Sequence, residues 1–393
     1  MSHEFPLEGI KVLDASQGIA GPSAAMLLAQ YGAEVIKVEP QDGDWSRLLG
    51  SGKEGMTSLS VATNLGKRSI ALDLKKPEGA EVFRRLTQRA DVFVESFRTG
   101  VMERLGFGHS QVALYNPQIV YLSVTGFGQK GPMRAQPATD AILQAFTGMM
   151  GVNKGREDGL PHRFDCWPID VVTGWVAFQA IAMALYARRD SGRGRYIDAS
   201  LLHGATALQS VRIVEHAASG GAQTVASAFP YGTFATRDGW INLTVLRDGL
   251  WPAFCRIVGR PDWEADPGLA SAAGRRARAD EIMASANEVF ARQTSEHWCA
   301  LLRAADILNE RVNTYDEMLA HQQTRETGLF TWLEHPSIGS VPHPNLPGPL
   351  PVEAGAARAR IPQIGAHTRE ILGELGYADG EIARLIEQRM AFT

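Results

Sequence analysis

The sequence predicts an α/β chain with a parallel, doubly wound sheet in a large domain and a smaller α+β domain after it. Three observations predict this. Short β-like runs in the first half are separated by helical segments, so neighbouring strands must be joined by crossovers. A long apolar segment, Val171 to Ala187, follows them. A two-strand pattern around Asp238-Gly239 then opens a helical stretch rich in Ala and Arg.

Lys11-Val12-Leu13-Asp14 reads as the first strand. The turn Gly18-Ile19-Ala20-Gly21-Pro22 and a helix from about Ser23 to Gln30 follow it. Gly18-x-x-Gly21-Pro22 has neither a dinucleotide fingerprint's spacing nor a phosphate-loop lysine, so it reads as a tight strand-to-helix turn. Ala33 to Glu39 is the second strand and Ser69 to Leu74 another β-like run. Pro77-Glu78-Gly79 opens a helix to about Arg89, because Pro suits a first turn whose N–H groups lack helical partners anyway. Val92 to Val94 and Ile119 to Val124 are further strands. Ligands of such sheets bind beyond the carboxyl ends of the strands.

After the apolar segment, Ser191 to Arg195 is a turn and Tyr196 to Ser200 starts another element. Gly232 to Leu243 reads as a hairpin with an Asp-Gly turn, and helical sequence runs on to about Leu319. Leu346 to Pro351 is a Pro-rich connector. Thr368 to Arg389 reads as two amphipathic helices split by Gly376-Tyr377. The division expected is a large domain over 1–225, a small α+β domain over 226–330 and a return to the large domain over 331–393.

Composition narrows the function. The 393 residues are 45% hydrophobic and carry a formal net charge of -4, with no basic excess for nucleic acid or anionic lipid. Cys166, Cys255 and Cys299 lack metal or redox spacing, which predicts a reduced, cytoplasmic setting. The opening MSHEFPLEGIKVLD lacks the charged-then-apolar pattern of a signal peptide. Val171 to Ala187 is short for a bilayer and holds Thr173, Gly174 and Gln179, so a buried helix is expected and no membrane. The ten His show no ligand spacing, so no metal is expected. A serine hydrolase is disfavoured by the absence of a G-x-S-x-G elbow.

Asp170 is the most informative residue. It stands directly before the apolar segment, in Phe164-Asp165-Cys166-Trp167-Pro168-Ile169-Asp170. A carboxylate there either caps the helix, accepting from its free N–H groups, or is a reactive group held on a rigid element. Position alone favours the cap. Two cationic groups also stand out: Asn64 to Ser69, with Lys67 and Arg68, and Arg98 with Arg104 after the strand at Val92. Both would lie near loop ends of the sheet, either solvated or holding a polyanionic ligand.

An ordered set of segments carries a resemblance. It comprises Gly9 to Asp14, Ala20-Gly21-Pro22, Gly32 to Glu39, Lys67 to Asp73, Asp91 to Phe97, Ser123 to Gly128, Ser191 to Arg195 and Ile364 to Thr368. From about residue 7 to about residue 385 the chain resembles the class III coenzyme A transferases, which include formyl-CoA transferase, carnitine CoA transferase and α-methylacyl-CoA racemase.

The resemblance implies a Rossmann-like large domain that binds CoA, a smaller domain, and a homodimer whose two chains interlock like links. It implies that Asp170 is the nucleophile, which reverses the ranking from position. It places CoA against Leu72, Asp73, Leu74, Lys75, Ser96, Phe97, Arg98, Arg104, Pro137, Ala138, Thr139 and Asp140. Many members carry an arginine where this chain has Pro40, so another cation must meet that phosphate. The glycine-rich loop of formyl-CoA transferases has only Gly220-Gly221 as a counterpart, which weakens formyl or oxalyl substrates. Racemases have a histidine at the position of Thr139, and threonine cannot exchange a proton near neutral pH. The function expected is therefore CoA transfer between acids through an aspartyl-CoA thioester, with a racemase or epimerase as the alternative. His162 and Arg163, close before Asp170, either are solvated or meet the second carboxylate of a dicarboxylic substrate, with succinyl-CoA as donor and itaconate or mesaconate as acceptor.

Overall fold

A computed structural model describes residues 5–53, 55–153, 159–221 and 228–393. The chain forms two compact units, Met1–Ile213 with Gly328–Thr393, and Val214–Thr327.

The larger unit is built on a sheet whose parallel strands are β1 (Lys11–Asp14), β2 (Glu34–Glu39), β3 (Arg68–Leu72), β4 (Val92–Glu95), β5 (Val120–Thr125) and β6 (Arg195–Ser200). Their spatial order is β3-β2-β1-β4-β5-β6, the doubly wound order, with its switch point between β1 and β4. A two-residue strand, β7 (Ala391–Phe392), adds antiparallel to β3 at the edge. It is too short for any periodicity to announce it.

Alternation along the strands divides their side chains between two cores. Val12, Val94, Val120 and Leu122 face α1 (Ala20–Gln30) and the long apolar helix. Leu13, Ile70, Phe93 and Tyr121 face α2 (Pro77–Arg89) and the C-terminal helices Thr368–Glu374 and Asp379–Glu387. Three further helices matter to the site: α3 (Val101–Arg104), α4 (Asp140–Phe146) and α5 (Pro168–Ser191). α2 has the bounds the sequence predicts. α1 starts at Ala20 rather than Ser23, so Gly21-Pro22 lies in its first turn.

α5 is buried on one flank only. Ile169, Thr173, Ala177, Ile181 and Leu185 face inward, whereas Val171, Trp175, Met183 and Tyr186 are exposed. Its inner flank packs on α1 at Gly174, where a Cβ would lie 2.9 Å from the Cβ of Ser23. The apolar segment is thus a core helix, as expected, with its inner flank buried and its outer flank exposed.

The smaller unit has a three-stranded antiparallel sheet: Leu308–Arg311, Gly239–Thr244 and Tyr231–Thr236 in that order. Phe234, Trp251, Phe254, Trp263, Phe290 and Trp298 form its core with the surrounding helices. The outer strand Leu308–Arg311 carries Asn, Glu and Arg, and it falls where the sequence reads as helix.

Below the loops at the carboxyl ends of β1 and β2 lies a closed set of charges. Asp14, Lys37, Glu39, Asp44, Arg47 and Lys67 are all at most 2% exposed, and their charges balance. Lys67 Nζ donates to Asp14 Oδ2 at 2.7 Å, to the carbonyl of Pro22 at 2.8 Å and to Asn64 Oδ1 at 2.9 Å. Lys37 Nζ donates to Asp44 Oδ2 at 3.0 Å and to the Ser16 carbonyl at 2.9 Å. Arg47 grips Glu39 with two bonds, of 2.7 and 2.8 Å. Neither alternative expected of Asn64 to Ser69, a solvated surface or cations for a ligand, holds for Lys67. Lys67 is consumed inside, and Arg68 begins β3 at the sheet's amino edge, where it meets Glu34, Glu370 and Glu374.

Removing one member of a buried pair strands the other charge, at a cost of about 3–5 kcal/mol. Lys67→Met is expected to lower stability by that amount in urea unfolding. A loss below about 1 kcal/mol, the level of an exposed pair, would show that Asp14 is not held as described.

Candidate active site

Two cavities open at the carboxyl ends of the strands, at the switch point. The first, about 280 Å3, is lined by Asp170 together with Ser96, Phe97, Arg98, Pro137, Ala138 and Thr139. The second, about 390 Å3, is lined by Leu72, Asp73, Leu74, Lys75 and again Phe97. Gln17 and Phe97 line both. The residues expected around CoA thus fall into two adjoining groups, with two exceptions. Arg104 is exposed at the end of α3 and lines neither cavity, although its neighbours Val101 and Leu105 line the second. Asp140 is 3% exposed and its carboxylate is turned inward.

The turns between the cavities are held by side chains from below. Asp44 Oδ1 accepts from the N–H of Gly18 at 3.0 Å. Ser96 Oγ accepts from the N–H of Gln17 at 2.8 Å and donates to its carbonyl at 3.1 Å. Glu95, buried at the end of β4, accepts from the N–H of Phe97 at 2.8 Å, and burial pushes its carboxyl up to about 7. These bonds fix Gln17 and Phe97 without using their side chains.

Asp170 is the third residue of α5, not its cap. The cap comes from Asp140, the first residue of α4. Asp140 Oδ2 accepts from the N–H of Ile169 at 2.8 Å and of Asp170 at 3.0 Å, and Oδ1 accepts from Gln144 Nε2 at 2.5 Å. Gln144 in turn clasps the backbone of Phe164, donating to its carbonyl at 2.9 Å and accepting from its N–H at 2.8 Å. Just before the helix, Trp167 takes a left-handed φ of 48°, an unusual conformation for an aromatic residue. The start of α5 is thereby tied down, and the Asp170 carboxylate is left without a hydrogen-bond donor among the described residues. Burial first, and the Asp140 charge second, push Asp170 up to about 7. Thr139 lines the cavity beside it, and no histidine does so among the described residues.

His162 and Arg163 do not line this cavity. The His162 backbone pairs with Asn153, and Arg163 forms an exposed ion pair with Asp165 at 2.6 Å. The sequence reading also passed over cavity residues. Gln17 carries a topological signal, because it follows the carboxyl end of β1. Trp45 and Arg134 carry none, since they come from a short 3-10 turn and an irregular loop.

Comparison with known proteins identifies the class. Residues 7–368 match the model of CoA-transferase family III, and the chain belongs to that family. Succinyl-CoA:glutarate CoA-transferase of Mus musculus is 32% identical, over 97% of this chain and 89% of its own. Succinyl-CoA:mesaconate CoA-transferase of Haloarcula hispanica is 30% identical, over 95% and 97%. The crystal structure of a CaiB/BaiF family protein from Brucella suis superposes with a TM-score of 0.85 at 28% identity, covering 95% of this chain and all of that one. The chain is accordingly an enzyme, a CoA transferase, whose substrates include a CoA thioester.

A carboxyl-carbon NMR titration, assigned by difference against Asp170→Asn, is expected to place the Asp170 midpoint near pH 7. Asp140→Asn keeps an acceptor oxygen but removes the charge, so it should move that midpoint down. A midpoint near the ordinary 3.8 in the parent would mean that the carboxylate is solvated.

Proposed function

We propose that the chain transfers CoA from an acyl-CoA to a carboxylic acid through a thioester on Asp170. The placement of Asp170 carries this reading: a carboxylate with no donor among the described residues, on a fixed helix start, in the cavity lined by Ser96 to Arg98 and Pro137 to Thr139. Desolvation makes it a stronger nucleophile once ionised.

The steps balance without an external base. The Asp170 carboxylate attacks the thioester carbonyl, forming an aspartyl–acyl anhydride and releasing CoA thiolate. The thiolate attacks the aspartyl carbonyl, forming the aspartyl-CoA thioester and expelling the donor acid. The acceptor carboxylate then attacks that thioester, giving a second anhydride and thiolate. Attack of the thiolate on the acceptor's acyl carbonyl yields the new acyl-CoA and restores Asp170. An anhydride keeps the acyl group activated, whereas an ester to serine would not.

Backbone donors for the oxyanion do not come from the first N–H groups of α5, because Asp140 occupies those of Ile169 and Asp170. The N–H groups of Ala20 and Gly21 open α1, have no helical acceptor and belong to residues lining the same cavity. They are the donors we assign, each contributing about 3 kcal/mol when well aimed.

CoA is placed with its nucleotide in the larger cavity and its thioester at Asp170, passing Gln17 and Phe97. Lys75 lines the larger cavity together with Pro40 and is the cation assigned to the phosphate there. Relatives acting on succinyl-CoA with glutarate or mesaconate support succinyl-CoA as donor and a short dicarboxylate, such as itaconate or mesaconate, as acceptor. Racemisation needs a second acid–base group opposite Asp170, and Thr139 occupies the position where it would stand. Incubation with succinyl-CoA and trapping by hydroxylamine is expected to give a hydroxamate at Asp170, seen by mass spectrometry. Asp170→Ala should still bind CoA while losing turnover at least a thousandfold, in line with loss of a covalent catalyst. Turnover retained in that variant rules out the mechanism.

The exposed flank of α5 carries Val171, Trp175, Met183 and Tyr186, an apolar surface. We assign it to the partner chain in an interlocked homodimer. Sedimentation should give twice the 42.7 kDa chain mass, and a monomer at micromolar concentration would refute the assignment.

A further inference from the structure

We infer that Arg134 selects dicarboxylic substrates by binding their distal carboxylate, an inference that rests on Asp170 as the reacting group. Several arginines elsewhere in this chain are spent on carboxylates, among them Arg47, Arg68, Arg188, Arg260 and Arg278. Arg98 and Arg134 line the Asp170 cavity, and among the described residues neither guanidinium has an acidic partner. Two unpaired guanidinium groups around one opening call for an anion, and their planar forks suit a carboxylate.

The shared cavity places that anion. Arg98, Arg134 and Asp170 line one space of about 280 Å3, and among the described residues neither arginine forms an ion pair with Asp170. A ligand that puts one carboxyl carbon at Asp170 and a negative group at the arginines must be a short chain with an acid at each end. A monocarboxylate leaves the far end unmet.

Arg134 is the better placed of the two for this role. Arg98 adjoins Phe97, which lines both cavities, and the family resemblance gives Arg98 to CoA. Arg134 lines the Asp170 cavity and carries no such implied role. Its backbone is anchored there, because Thr99 Oγ1 donates to the Arg134 carbonyl at 2.9 Å and Thr99 lines the same cavity. The anchor places Arg134 without engaging its side chain.

Succinate and butyrate test the inference, because they share a carbon count and differ in the second carboxylate. Titration calorimetry with the full chain should show succinate binding at least tenfold tighter than butyrate, the gain expected of a charge-assisted pair. Arg134→Gln should erase the preference by weakening succinate alone, and Arg134→Lys should restore part of it. In turnover, Arg134→Gln should raise KM for the dicarboxylate at least tenfold and leave KM for acetyl-CoA unchanged. An equal rise for acetyl-CoA would assign Arg134 to a CoA phosphate and overturn the inference, as would an unaltered preference. If Asp170 gives no hydroxamate with any donor, the transfer mechanism fails. The binding preference would then still decide the role of Arg134.

Discussion

Burying six charges beneath the first turn after β1 is the constraint on which the site depends. A doubly wound sheet leaves a crevice where the chain departs in opposite directions from β1 and β4, but it leaves the loops there undefined. In this chain Lys37 and Asp44 bond to the Ser16 carbonyl and the Gly18 N–H, so the turn carrying Gln17 has two fixed ends. Lys67 reaches from the start of β3 to the carbonyl of Pro22 and so holds the first turn of α1. An apolar core of equal volume would be as stable or more so. It would not supply donors and acceptors aimed at individual loop atoms, which the polar set does.

Two carboxylates about a helix start show how one environment gives opposite roles. Asp140 accepts from Ile169, Asp170 and Gln144 and so caps the helix. Asp170 receives no donor among the described residues, and burial together with the Asp140 charge pushes it up to about 7. The folded state therefore holds a proton on Asp170 between about pH 4 and pH 7 that the unfolded chain has released. Stability contributed at this residue falls as pH rises through that window. Near neutrality the carboxylate ionises in surroundings that disfavour its charge.

The fold was legible because its signals are local and repeated. β1, β2, β4 and β5 are short apolar runs at crossover spacing, and Pro77 and the Asp238-Gly239 turn mark starts and reversals within a few residues. β7 and the strand Leu308–Arg311 were illegible for the opposite reason. One is two residues long and the other is polar, and each exists only through its pairing with a distant strand. Asp170 stood out through its place before an apolar helix. Its geometry did not, because the group that caps α5 comes from Asp140, thirty residues earlier in the chain.

Cations were the least legible part, and the reason is physical. A lysine or arginine in a loop has the same appearance in sequence whether it closes a buried pair, meets a surface acid or waits for a ligand. Lys67, Arg163 and Arg134 differ in this way: the first is enclosed against Asp14, the second is spent on Asp165, and the third lines the Asp170 cavity with no ion pair among the described residues. What separates them is the position of a carboxylate remote in sequence or absent altogether. Long-range neutralisation thus decides which charges remain for substrate. At the Asp170 cavity it leaves Arg98 and Arg134 without an ion pair among the described residues. Positive groups left unneutralised at an opening raise the local concentration of anions there before any bond forms.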